Sequence, residues 1–184
     1  AIASLPRGVL AVGVFAGMPA DEILAIARTI KLGAIQLHGH LAGSGPAVDP
    51  PSRCAELAGL PVIRAVRMGV DGLAEARQWL AAAALAGRLP DMLIIDAAVA
   101  STASAGALGG TGARVDWNAL RREPPLDIPF ALAGGLTPEN VAEAVATTGA
   151  IAVDTASGVE SAPGTKDPGR VRAFVSNARV AMGG

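Results

Sequence analysis

Two carboxylates stand where apolar runs give out: Asp96 closes "MLIID" (92–96), and Asp154 sits inside "AIAVDTAS" (150–157). A carboxylate at a strand end, partly shielded from water, can hold a raised pKa and serve as a general acid. The same residue type also caps helices and fixes loops, and both readings stand for each aspartate. The pair could divide acid and binding roles, although spacing along the chain does not show that they converge. Two glycine-bearing turns follow the last apolar runs, "AGGLTPENV" (133–141) and "TASGVES" (155–161). Glycine lets backbone N–H groups come close to an anion, and a helix beginning near Pro138 adds its positive end, so this pair of turns suits a phosphate. Tight turning alone is the plainer reading of a single Gly-Gly; two such turns on consecutive strands favour the anion.

Other reactive side chains point less sharply. His38 and His40 would share one face of a strand, but no third ligand of matching type lies near them in sequence, so a hydrogen-bonded histidine is favoured over a metal ligand. Arg64, inside "VIRAV", reads equally as a group at the mouth of the fold or as an ordinary ion pair. Cys54, in "PSRCAELAGL", reads as an inert buried thiol on an outer helix. "GGTGARVDW" (109–117) suits a second anion nest or a mobile flap, and it lacks the Lys-Ser/Thr ending of a nucleotide-triphosphate loop.

Positioning these groups requires a repeated framework. Short, nearly continuous apolar runs recur at 12–15, 34–38, 61–66, 92–96, 129–134 and 150–157, the pattern of parallel strands covered on both faces. Helical patterns separate them. Ile23, Leu24, Ala27 and Ile30 share a face, as do Val171, Phe174, Val175 and Ala178. Asp71 can cap a helix carrying Leu73, Ala76 and Leu80, and Thr137 with Pro138 can start one carrying Val141 and Val145. Strand–helix units in series predict an α/β fold with a parallel sheet, either doubly wound or a (β/α)8 barrel. In both, the loops at the carboxyl ends of the strands hold the chemistry. Residues 41–51, around "GSGPAVDPP", read as a loop insertion to which composition assigns no function.

The bulk properties exclude several classes of function. A chain of 184 residues, 51% hydrophobic with a net charge of −1, predicts one globular domain. Two Trp, three Phe and no basic stripe offer nucleic acid no platform. No apolar run suits a bilayer crossing, and one cysteine forms no internal disulfide, so a cytoplasmic protein is expected.

Taken in order, "VGVF", "QLHG", "LIIDA", "GGTGARVDW", "LAGGLTPENV" and "VDTASGVESAPGTKD" resemble the successive signatures of phosphoribosylanthranilate isomerase, a (β/α)8 enzyme of tryptophan biosynthesis. The match runs from about Leu5 to Phe174 and covers the third to eighth strands, about six of eight units. The resemblance implies a cofactor-free and metal-free Amadori rearrangement of N-(5-phosphoribosyl)anthranilate. Asp96 would be its acid, with Gly134, Gly135, Ser157 and Gly158 on the phosphate and Asp154, His38 and Arg64 binding the substrate. A monomer or homodimer is implied. The family's Lys-Ile-Cys-Gly motif, with its general-base cysteine, and its Ser-Pro-Arg motif do not occur in the chain, and His40 stands where an acidic residue is usual. The expectation is therefore an N-terminally truncated barrel that lacks normal turnover by itself. The alternatives are a non-catalytic phosphate-binding remnant and another sugar-phosphate barrel enzyme.

Overall fold

The computed structural model describes residues 5–41, 47–97 and 116–184. Residues 42–46 of the insertion and the Gly109–Gly112 turn lie outside the described residues. Eight strands are described: β1 (Val12–Phe15), β2 (Ala34–Leu37), β3 (Val62–Met68), β4 (Met92–Ala97), β5 (Phe130–Leu132), β6 (Ala152–Val153), β7 (Glu160–Ala162) and β8 (Thr165–Lys166). The described helices are α1 (Ala20–Ile30), α2 (Arg53–Glu56), α3 (Ala74–Leu85), α4 (Trp117–Arg122), α5 (Val141–Thr148) and α6 (Pro168–Ala181). Hydrogen bonding orders the sheet β1-β2-β3-β4-β5-β6, and β7 pairs only with β8. The pairings of β1 with β2, β2 with β3 and β5 with β6 are parallel, as the unbroken apolar runs require. The chain divides into two compact units, residues 1–66 with 74–93 and residues 67–73 with 94–184.

In the first unit, α1 buries Ile23 and Ala27 and leaves Ile30 exposed, so its apolar stripe is narrower than the sequence pattern. Asp21 and Glu22 in its first turn and Arg28 in its last suit the helix dipole. The helix stops at Lys31, whose left-handed backbone (φ 56°) lets its N–H reach the Ala27 carbonyl. Ile23, Ile35, Leu37, Leu57 and Val62 form the core with Trp79 of α3, and each aliphatic side chain contributes about 1.5–3 kcal/mol by leaving water. The outward residues of β1, Val12 and Val14, stay 40% and 60% exposed. Asp71 is not at the cap position of α3, which starts at Ala74: it lies inside a tight turn in which Gly69 and Gly72 exchange 3.1 Å backbone bonds, and Leu73 precedes the helix.

The polar centre of this unit is a buried ion pair. Arg64 of β3 and Asp49 have side chains 0% exposed, with Arg64 Nη1 donating to Asp49 Oδ2 over 3.1 Å. The second Arg64 Nη donates to the Gly39 carbonyl at 2.7 Å, and the guanidinium lies over the Trp79 ring, 5.0 Å from its centroid. Asp49 also accepts from the N–H of Gly17 (2.8 Å) and of Gly39 (2.7 Å), while its carbonyl accepts from Trp79 Nε1 (3.0 Å). Burial lowers the Arg64 pKa from its ordinary value, and Asp49 opposes that shift.

In the second unit, α5 and α6 pack on each other and bury Val141, Ala144, Phe174 and Ala178. Val171 and Val175, on the α6 face expected to be buried, remain 37% and 41% exposed. Asp167 caps α6 by accepting from the Arg170 N–H at 2.9 Å, ahead of a first-turn proline.

Removing one partner of a buried ion pair strands the other, at a cost of about 3–5 kcal/mol. Asp49→Ala is expected to destabilise the protein by about that amount in urea unfolding. An Asp49→Leu/Arg64→Met double variant is expected to stay destabilised, because the Gly17 and Gly39 N–H groups lose their acceptor; full recovery in the double variant would show that the ion pair alone matters.

Candidate active site

Six of the residues singled out from sequence, Asp96, Gly134, Gly135, Asp154, Ser157 and Gly158, belong to the second unit. They are brought together by three adjacent strands. The Ala133 N–H donates to the Ile95 carbonyl and the Asp154 N–H to the Leu132 carbonyl, both at 2.8 Å. These bonds set Asp96 at the end of β4, Gly134 just beyond β5 and Asp154 just beyond β6. With neighbouring strands about 4.8 Å apart, the backbones at Asp96 and Asp154 stand two strand spacings, about 10 Å, from each other with β5 between them. Asp96 is half-buried and Asp154 exposed.

The two glycine turns touch. Gly134 and Gly135 both have positive φ, 84° and 65°, a conformation that costs any other residue about 1–2 kcal/mol. Gly158 packs so closely on the Leu136 carbonyl that a Cβ would collide with it and would stand 2.7 Å from Thr155 Oγ1. Thr155 Oγ1 donates to that same Leu136 carbonyl at 2.7 Å. Glycine at 158 is therefore a steric requirement of the contact between the turns.

Side chains behind the turns hold them. Asn140 accepts from the Thr137 N–H (2.8 Å) and donates to the Gly135 carbonyl (3.0 Å). Thr137 is thus not the side-chain cap of α5: that helix begins at Val141, three residues beyond Pro138, and Asn140 at its cap position turns back to the loop. Ser157–Val159 form a single 3-10 turn. Lys166 Nζ donates to the Ala156 carbonyl and to Glu160 Oε1, each at 2.7 Å. Arg170 donates through Nε (3.2 Å) and Nη2 (2.9 Å) to the Gly158 carbonyl. These supports, and the β7–β8 hairpin that carries Lys166, were not singled out in the sequence; the charged "GTKD" after a glycine turn was the available signal.

His38 and Arg64 belong to the first unit. The His38 N–H donates to the Phe15 carbonyl at 2.7 Å, and its Nδ1 lies 3.3 Å from Gln36 Nε2. Of the two readings of Arg64, the structure displays the ion pair: its guanidinium is wholly buried on Asp49, Gly39 and Trp79 rather than open to a ligand. Asp49, inside the segment read as an insertion without function, is the residue sequence reasoning missed. His40 is exposed, and its bridge to Val48 closes the base of the insertion so that an acidic group returns to Gly39 nine residues after His40. Cys54 is buried, and burial pushes its thiol up to about 11, which keeps it protonated and unreactive. Among the described residues no group of three or more His, Cys, Asp or Glu could hold a metal ion, and no helix is long and apolar enough to cross a membrane.

Residues 2–177 match the family model described as N-(5'phosphoribosyl)anthranilate (PRA) isomerase. A protein of that name from Paracoccus denitrificans is 42% identical over 179 residues, covering 96% of this chain and 75% of the relative. The phosphoribosyl anthranilate isomerase structure from Thermotoga maritima superposes with a TM-score of 0.74 at 28% identity, covering 97% of this chain and 77% of that one. A further isomerase structure, in complex with reduced 1-(o-carboxyphenylamino)-1-deoxyribulose 5-phosphate, superposes with a TM-score of 0.69 at 29% identity over 97% of this chain and 76% of that one.

Three acids around the turns are held below their ordinary pKa: Glu139 chiefly by the Thr137 hydroxyl, Glu160 by the Lys166 ammonium and Asp167 by the Arg170 N–H. A depressed carboxylate stabilises the fold above its unfolded pKa and loses that contribution as pH falls through the folded value. In thermal melts, the advantage of the wild type over Asp167→Asn is expected to be complete at neutral pH and to disappear below about pH 3.8, the ordinary value for this group; an advantage independent of pH would refute the charged cap.

Proposed function

The chain belongs to the N-(5'-phosphoribosyl)anthranilate isomerase family, and we propose that the strand ends of its second unit carry the chemistry of that reaction. It is an isomerase of tryptophan biosynthesis with an α/β fold of the TIM-barrel family, and it converts N-(5-phosphoribosyl)anthranilate to 1-(2-carboxyphenylamino)-1-deoxyribulose 5-phosphate. The observation that carries the assignment of residues is the contact between the two glycine turns beside the end of β4, with Gly158 against the Leu136 carbonyl.

In the proposed division, Gly134, Gly135, Ser157 and Gly158 hold the phosphate through backbone N–H groups and the Ser157 hydroxyl. Asp154, at the rim, binds the sugar hydroxyls. Asp96 donates its proton to the furanose ring oxygen as the C1–O bond breaks. The anthranilate nitrogen lone pair then forms a C=N bond to C1, giving the ring-opened Schiff base. Loss of the C2 proton yields an enaminol, and tautomerisation leaves the ketone at C2. Protons and bonding electrons move only within the substrate and its acid–base partners, so no redox cofactor is called for.

The base for the C2 proton is not Cys54, whose thiol is buried and held protonated. The 184 residues contain no Lys-Ile-Cys-Gly motif, and the base is therefore not assigned to a residue. His38 is proposed to line the substrate side of the loop after β2, whereas Arg64 supports that loop from within. The protein is proposed to act in the cytoplasm as a monomer or homodimer, without nucleic acid or membrane.

Without the family's base cysteine the 184 residues are expected to show only residual isomerisation, and Asp96→Asn is expected to lower that residual rate about 100-fold or more while leaving the affinity for the reduced product analogue within about threefold. Turnover that survives the substitution would remove Asp96 from the role of acid. Gly158→Ala tests the cradle. Its Cβ forces the two turns apart, so affinity for inorganic phosphate and for the analogue is expected to fall by at least about tenfold; unchanged affinity would place the phosphate elsewhere.

A further inference from the structure

Resting on the phosphate reading above, we infer that Lys166 and Arg170 are positioning residues of the phosphate cradle, acting through peptide planes rather than through their charge. A trans peptide is planar, with its C=O and N–H pointing in opposite directions. Lys166 Nζ holds the Ala156 carbonyl at 2.7 Å, which fixes the Ser157 N–H on the opposite side. The Glu160 N–H holds the Ser157 carbonyl, which fixes the Gly158 N–H in the same way. Arg170 grips the Gly158 carbonyl with two donors, at 3.2 and 2.9 Å. Three successive carbonyls are thus drawn toward residues 160–170, and the N–H groups of Ser157 and Gly158 are presented together on the other face. Asn140 does the same for the facing turn, holding the Gly135 carbonyl at 3.0 Å and so directing the Leu136 N–H.

The charges of both cations are already answered. Lys166 is 2.7 Å from Glu160 Oε1, and Arg170 Nη2 is 3.6 Å from Glu139 Oε2. A cation neutralised by an adjacent carboxylate contributes little field at a ligand, whereas the orientation it imposes on a peptide is undiminished. Their side chains are 48% and 39% exposed, so either can be replaced without opening the core.

The test measures the affinity of wild type, Lys166→Met, Arg170→Met, the double variant and Lys166→Arg for inorganic phosphate and for the reduced product analogue, at several salt concentrations. Circular dichroism and thermal melts establish that each variant is folded. Lys166→Met and Arg170→Met are each expected to weaken both ligands about tenfold. The double variant should lose much less than the product of the two, because both support one turn. Lys166→Arg should recover to within about threefold, and the salt dependence of binding should match that of the wild type. Unchanged affinity in both single variants overturns the inference while leaving the cradle in place. A loss accompanied by a shallower salt dependence also overturns it, since that marks direct ionic contact with the phosphate. A wild type that binds neither ligand removes the cradle reading, and this inference with it.

Discussion

A guanidinium shut away from water has to be answered by a carboxylate and by aligned acceptors, and the first unit is arranged around that demand. Arg64 is fully buried, and Asp49 meets it with one oxygen while both its oxygens gather glycine N–H groups from the loops after β1 and β2. The pair adds little net stability, since the cost of removing two ions from water offsets most of their attraction. Its consequence is geometric: Gly17, Gly39, Arg64 and Trp79 are held in one relation by a single aspartate. Gly39 has to be glycine because a Cβ would meet both the Ala47 carbonyl and Asp49.

On the proposed reading of its glycine turns, the second unit solves a different problem with the same economy of parts. A phosphate offers several acceptor oxygens and little shape, so its site needs donors that stay fixed when the ligand leaves. Backbone N–H groups provide them once their carbonyls are engaged elsewhere, and Asn140, Thr155, Lys166 and Arg170 engage those of Gly135, Leu136, Ala156 and Gly158. Asp96 stands on β4, whereas these supports lie beyond β5, so the proposed acid and the proposed anchor rest on separate residues.

Local chemistry made much of this legible in the sequence. The run "VGVF" is β1 residue for residue, and "MLIID" is β4 short of Ala97, because continuous apolar stretches of that length fit a strand, although of the two only β4 buries successive residues while β1 leaves Val12 and Val14 exposed. The Gly-Gly pair after the apolar run at 129–133 marked its turn, since positive φ at Gly134 and Gly135 leaves few alternatives to glycine. What escaped depends on contacts distant in sequence. Asp49 lay within a glycine- and proline-rich stretch, and only its meeting with Arg64, fifteen residues on, gives it a place in the core. The run at 150–157 forms a strand only at Ala152–Val153, because Gly158 must pack under Leu136 and the chain has to turn before it arrives there. Lys166 and Arg170 read as surface charges until the carbonyls they hold are known.

The proposed phosphate cradle and its supports lie between Gly134 and Arg170, one uninterrupted stretch of chain. The donors of the cradle, the carbonyl locks behind it and the carboxylates that quiet those locks are therefore inherited together. If that cradle holds the phosphate, substitutions elsewhere in the gene can alter which sugar is bound, or what is done to it, without disturbing how its phosphate is gripped. Natural selection can in this way change the reaction while keeping the handle.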